Sequence, residues 1–198
     1  MATIEDAAAA IERGELVVYP TETVYGLGAD ALDPDAIERA YAAKGRDRAK
    51  PMSLGVPDVD AALDYVRVGE REEAFMREFL PGPVTVVCEK RDIVPDSLVG
   101  GRDRVGIRVP DHDLALDLLE AADTPVTATS ANRSGRPSVR HPDDLDPDFR
   151  EDVAIVLDGG ETDGVESTVV DVAEGVIHRE GANADAIVDW LASARGDE

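Results

Sequence analysis

Positive charge is what this sequence has least of: 20 Lys and Arg stand against 43 Asp and Glu, a formal net charge of −23. With an isoelectric point near 4.3, the chain has no basic field to hold a phosphate backbone, so strong, unspecific nucleic-acid binding is excluded. Cysteine is nearly absent too. Cys88 stands alone, which rules out an internal disulfide and any multi-cysteine zinc site; in the run Val84-Thr85-Val86-Val87-Cys88 it reads as a small buried hydrophobe. No apolar stretch reaches membrane-spanning length, and Met1-Ala2-Thr3-Ile4-Glu5-Asp6 lacks a basic leader. The expectation is a soluble, cytoplasmic protein. Several catalytic signatures are missing as well. There is no Walker-type phosphate loop, no Ser sits in a nucleophile elbow, and His112, His141 and His178 lie far apart without metal-ligand spacing.

What is present supports one sizeable core. Hydrophobic residues make up 43% of 198 residues although aromatics reach only 4%, a length and composition suited to one domain. Acidic residues run along the whole chain and form no tail, which argues against disorder. Arg outnumbers Lys 17 to 3. A carboxylate-rich surface of this kind suits a high-salt cytoplasm, where screening tames self-repulsion.

Helical and strand patterns alternate. A helix over 3–13 opens at Thr3 and stops at Gly14; a strand at 16–19 ends on Pro20. Asp33-Pro34 caps a second helix running to Lys44-Gly45, and a strand follows at 52–56. Helices are expected at 58–66, 70–79 and 113–121, and a last one capped by Asn183. Further strands are expected at 84–88, 105–109, 126–129, 154–157, 168–172 and 176–179. Gly26-Leu27-Gly28-Ala29-Asp30-Ala31 matches the dinucleotide pattern formally but fails in context, since the helix starts after it; turn glycines are the expectation. The chain reads as one α/β domain with a mixed sheet, its Ser-, Thr-, Arg- and Gly-rich loops placed after strand ends, where open sheets bind ligands.

The scarce cations are gathered. Lys44, Arg46, Arg48 and Lys50, then Arg102, Arg104 and Arg108, then Arg133, Arg136 and Arg140 place ten of the 20 within 22 residues. Solvated faces explain most charge runs, and a helix C-terminus attracts cations on its own. Neither explains Arg48 and Lys50, nor two arginine groups beside glycine and serine loops. Guanidinium and ammonium groups with hydroxyls and an Asn amide suit phosphate and carboxylate. The residues alone therefore point to an anionic, nucleotide-like ligand in a loop-lined cleft.

Tyr19-Pro20-Thr21-Glu22-Thr23-Val24-Tyr25-Gly26-Leu27-Gly28, Lys44-x-Arg46, Leu80-Pro81-Gly82-Pro83-Val84-Thr85, Arg108-Val109-Pro110, Ser130-Ala131-Asn132, Asp158-Gly159-Gly160 and Glu166-Ser167-Thr168-Val169-Val170 occur in one order. In this the chain resembles the YrdC family of threonylcarbamoyl-AMP synthases, from about Ile11 to Gly181. The resemblance implies a twisted mixed sheet flanked by helices around a positively charged cavity. It implies that ATP, bicarbonate and L-threonine give threonylcarbamoyl-adenylate and pyrophosphate, for a transferase complex that modifies tRNA beside the anticodon. By position, Lys44 and Arg46 resemble catalytic and ATP contacts, supported by Lys50 and Arg48. Arg108, Asn132, Ser138 and Arg179 resemble further nucleotide contacts, and Thr21, His112, Ser130 and Ser167 the groups around threonine. Magnesium is expected with the ATP, and no protein side chain is assigned to it. Gly55 stands near a histidine that helps hold threonine in two-domain members, Glu180 replaces a common proline after Arg179, and the chain is expected to lack those members' extra C-terminal domain. An RNA-binding or ribosome-associated factor, or a carbamoyl- or acyl-phosphate-handling relative of the same fold, are the alternatives.

Overall fold

Helices start where the sequence supplies an acceptor for their free N–H groups. In the computed structural model, which describes residues 2–193, helix α1 (Ile4–Glu12) is opened by a capping box: Thr3 Oγ1 accepts from the Asp6 N–H and Asp6 returns the bond to the Thr3 N–H. Strands β1 (Val17–Tyr19) and β2 (Gly26–Gly28) lead to α2 (Pro34–Lys44), capped by Asp33 and stopped by Gly45 at φ 55°. Then come β3 (Ser53–Gly55), the short α3 (Val59–Ala62), β4 (Val66–Arg67), α4 (Glu70–Phe79) and β5 (Val84–Lys90). A turn of helix α5 (Asp96–Val99) precedes β6 (Arg104–Arg108), α6 (Asp113–Ala121) and β7 (Val126–Ser130). After a 3-10 turn at Pro142–Asp144, α7 (Pro147–Glu151), β8 (Ile155–Val156), β9 (Thr168–Asp171), β10 (Val176–Arg179) and α8 (Ala184–Ser193) complete the described chain.

The strands form one mixed sheet in the order β10-β9-β5-β6-β3-β7-β2-β1-β8, with β4 beside β5. The pairs β1–β8, β3–β6 and β5–β9 are parallel and the remainder antiparallel. Side chains alternate between faces. On one face Val18, Leu27, Leu54, Val86, Ile107 and Val170 are buried in the main core with α2, α4 and α8, which contribute Ile37, Tyr41, Phe75, Met76, Ile187 and Leu191. On the other face Val17, Tyr19 and Val126 pack beneath α1 and α6, through Ala7, Ile11, Ala115, Leu118 and Leu119. Those two helices cover only part of that face.

Two expectations need correcting. The helix expected over 58–66 ends after a single turn at Ala62, because Val66 and Arg67 pair with Lys90 and Glu89 as a short edge strand, and Arg67 also reaches the Glu89 carboxylate at 3.3 Å. Gly26 and Gly28 are strand residues, not turn residues. They are glycines because Tyr19 lies across them: a β-carbon at Gly26 would come within 2.9 Å of Tyr19 Cζ, and one at Gly28 within 2.7 Å of Val126 Cγ1.

Candidate active site

Register brings one set of alternate residues onto the uncovered part of the α1/α6 face. Tyr19 lies opposite Gly26, Gly26 opposite Ser130, and Ser53 opposite Ala128. Gly55 lies opposite Arg108, Val87 opposite Gly106, and Thr85 opposite Val169. Together with the loops at their ends, most of these residues line a cavity of about 870 Å³, a volume in the ordinary range for small-ligand sites. No helical residue lines it. Its floor is kept low by small residues; a β-carbon on Gly106 would come within 2.8 Å of Thr85 Cγ2. The expected cations converge here, and carboxylates come with them. Arg46, Arg102, Arg104, Arg108 and Arg179 share the lining with Asp103, Glu166, Asp171 and Glu174.

Of the residues singled out from the sequence, Thr21, Arg46, Arg108, Ser130, Ser167 and Arg179 line the cavity. The Arg46 guanidinium is anchored by backbone alone, Nε donating to Lys50 O at 3.1 Å and Nη2 to Pro51 O at 2.9 Å. Burial, with the positive charge of Arg179 also contributing, lowers its pKa. Arg108 is sunk beside the cavity with its side chain 8% exposed. Its Nη2 meets Glu22 Oε1 at 2.6 Å, while Nη1 donates to the carbonyls of Gly82 and Val109. Glu22 Oε2 is buried without a partner. Ser167 joins two strands: its Oγ lies 3.0 Å from Thr85 Oγ1 and accepts from Arg179 Nη2 at 3.0 Å, and its carbonyl accepts from Arg179 Nε and Nη2. Thr21 Oγ1 closes its own loop, accepting from the N–H groups of Thr23 and Val24 and donating to Val24 O at 2.6 Å. Burial pushes the Tyr19 phenol up to about 12, so it stays neutral.

The other five do not line it. Lys44 is the last residue of α2, and its side chain runs beneath the Ser130–Asn132 loop at 2% exposure. There Nζ donates to the carbonyls of Ser130 and Asn132. Burial first, and then the charge of Arg46, depress its pKa to about 7, against the opposing pull of Glu166. Asn132 pins the same loop from within, Nδ2 donating to Arg133 O at 3.0 Å and Arg136 O at 2.6 Å. Ser138 donates to Glu166 Oε1 at 2.7 Å. His112 caps α6 outside the lining, its Cε1 close to Gly159, and its buried Nδ1 has no partner. Lys50 is exposed, and Arg48 is turned outward to Glu38. Gly55 is buried under α6, where a β-carbon would lie 3.3 Å from Val126 O and 3.4 Å from Leu119 Cδ2, so a side chain there would meet protein.

Sequence reasoning missed the carboxylates. Glu166 pairs with Arg179 at 2.8 Å, and Asp171, 2% exposed, pairs with Arg104 at 2.7 Å. The available signal was Asp171 itself, an acid in the apolar run Val169-Val170-Asp171-Val172, since a buried carboxylate requires a cationic partner. Glu22 and Glu166 sat inside distinctive segments but had no assigned work. Among the described residues no group of three or more His, Cys, Asp or Glu could hold a metal ion.

A mixed sheet whose open face carries arginines, hydroxyls and a lysine-pinned Ser-Ala-Asn loop defines the class. The Sua5_yciO_yrdC family, described as Telomere recombination, matches residues 9–181, and the chain belongs to it. It is 42% identical over 173 residues to the threonylcarbamoyl-AMP synthase of Pyrococcus abyssi, covering 86% of this chain and 51% of that protein. The crystal structure of P. abyssi Sua5 complexed with L-threonine superposes with a TM-score of 0.87 at 40% identity, over 93% of this chain and 57% of that one. E. coli YciO superposes with a TM-score of 0.83 at 27% identity, over 90% of this chain and 89% of that one. The chain spans about half the length of the curated relatives it matches first.

Proposed function

We propose that this chain is an L-threonylcarbamoyladenylate synthase, a nucleotidyltransferase that takes ATP, bicarbonate and L-threonine in the sheet-face cavity. The observation that carries this reading is the convergence of Arg46, Arg108 and Arg179 with Thr21, Ser130 and Ser167 in one cavity, in a chain 42% identical to a relative named threonylcarbamoyl-AMP synthase. The threonine amine and bicarbonate condense to a carbamate with loss of water. A carbamate oxygen then attacks the α-phosphorus, the bond to the bridging oxygen breaks, and pyrophosphate leaves with the electron pair. No enzyme nucleophile is consumed, so the protein's work is to position the reactants and neutralise charge.

Arg46 suits the polyphosphate best, being a lining cation fixed by carbonyls, with no carboxylate partner among the described residues. Lys44 acts at one remove: it fixes the carbonyls of Ser130 and Asn132 and thereby the loop that bounds the cavity. Magnesium would enter on the polyphosphate and shield the charge of its oxygens. Glu166 and Asp171 are committed to arginines, so the ion would be held chiefly by phosphate and water oxygens. The product would pass to a transferase complex acting on tRNA. Membrane attachment has no support, as no described helix is long and apolar enough to cross a bilayer.

Pyrophosphate release from ATP, followed with threonine and bicarbonate each present or withheld, tests the proposal. Release that needs both is the expected result. Release indifferent to threonine would overturn it.

A further inference from the structure

Three of the five arginines lining the cavity are already held by carboxylates: Arg104 by Asp171, Arg108 by Glu22 and Arg179 by Glu166. The first two pairs include a deeply buried partner, so they belong to the frame of the site. The third differs. The side chains of Arg179 and Glu166 are 47% and 43% exposed, and both residues line the cavity. One Glu166 oxygen accepts from Ser138 Oγ at 2.7 Å and the other meets Arg179 Nη1 at 2.8 Å. That is the bonding a phosphate would make to the same two donors: two anionic oxygens on one centre, taking a hydroxyl and a guanidinium N–H. Arg179 does not rely on Glu166 for its place, because Nε and Nη2 are fixed on the carbonyl and hydroxyl of Ser167. Glu166 can therefore turn outward while the guanidinium stays.

We infer that Glu166 is an internal competitor for the phosphate of the nucleotide, occupying Ser138 and Arg179 until a phosphate displaces it. The inference rests on the reading that this cavity binds ATP. Its consequence is affinity held below what the donors alone would give, for the incoming nucleotide and for the pyrophosphate that must leave.

Calorimetric titration of magnesium-ATP and of pyrophosphate into wild type, E166Q, E166A and the control E120Q tests this. Glu120 is exposed on α6, so E120Q removes one negative charge away from the cavity lining. The half-exposed pair sets the scale: E166A should bind about fivefold tighter than wild type, with E166Q between them and E120Q unchanged. Melting temperatures near that of wild type would show that the fold is kept. Equal or weaker binding by E166A, beside normal binding by wild type, overturns the inference and leaves the functional reading standing. Wild type that binds neither ligand removes both.

Discussion

The two halves of one sheet face make an instructive contrast. Under α1 and α6, Val17, Val126, Leu118 and Leu119 meet as a dry apolar layer. Beyond the edge of those helices the same strands, in continuous register, turn up Ser53, Thr85, Gly106, Arg108 and Ser130. Backbone geometry does not distinguish the halves; helix cover does. Where a helix excludes water, alternate positions are aliphatic, and where the cover stops they are small, hydroxylated or cationic.

Perturbing each half should read out differently. Leu118→Ala, in the sealed half, should cost about 2–5 kcal/mol of stability in a denaturant titration, with little change in ligand affinity of the folded protein. Arg46→Ala, in the open half, should do the reverse. It should lose about 2–4 kcal/mol of transition-state stabilisation in adenylate formation while stability moves by less than about 0.5 kcal/mol. If Arg46→Ala reacts at the normal rate, its side chain is rim and not site.

Lys44 sharpens the comparison because it is buried yet serves the open half. Its pKa falls from 10.5 in the unfolded chain to about 7 in the fold. Between those values the unfolded chain holds more protons, so this group's contribution to stability rises as pH climbs from about 7 to about 10. Wild type should therefore gain on Lys44→Met by roughly 1–3 kcal/mol over that range, measured by denaturation at each pH. An advantage that shrinks with rising pH would contradict the burial of the ammonium. The smallest effect concerns the outer surface. With a net charge of −23, the melting temperature should rise by several degrees from low to multimolar salt as the screening length contracts to about 3 Å; no rise would remove the high-salt interpretation.

Most elements were legible because capping and punctuation are local. Thr3, Asp33-Pro34 and Gly45 mark helix ends where the structure has them. The glycines of β2 were misread because their cause, the Tyr19 ring, is supplied by the neighbouring strand. Clustering of cations correctly gathered Arg46, Arg104 and Arg108 at the cavity. The same clustering gave no warning that Lys44 would dive under a loop while Arg48 turned out to Glu38, because the direction of a side chain at a helix end depends on what packs over it. Glu22, Glu166 and Asp171 stayed hidden among so many acids, and only the register shows which of them face an arginine.

The cavity takes no residue from any helix, whereas helices carry many exposed acids, among them Glu5, Asp35, Glu38, Glu70 and Glu120. Solvent adaptation and chemistry thus occupy separate parts of the molecule. The helices are a chassis whose outer charges can be recoded for fresh water or brine, residue by residue, without touching an atom that meets the reactants.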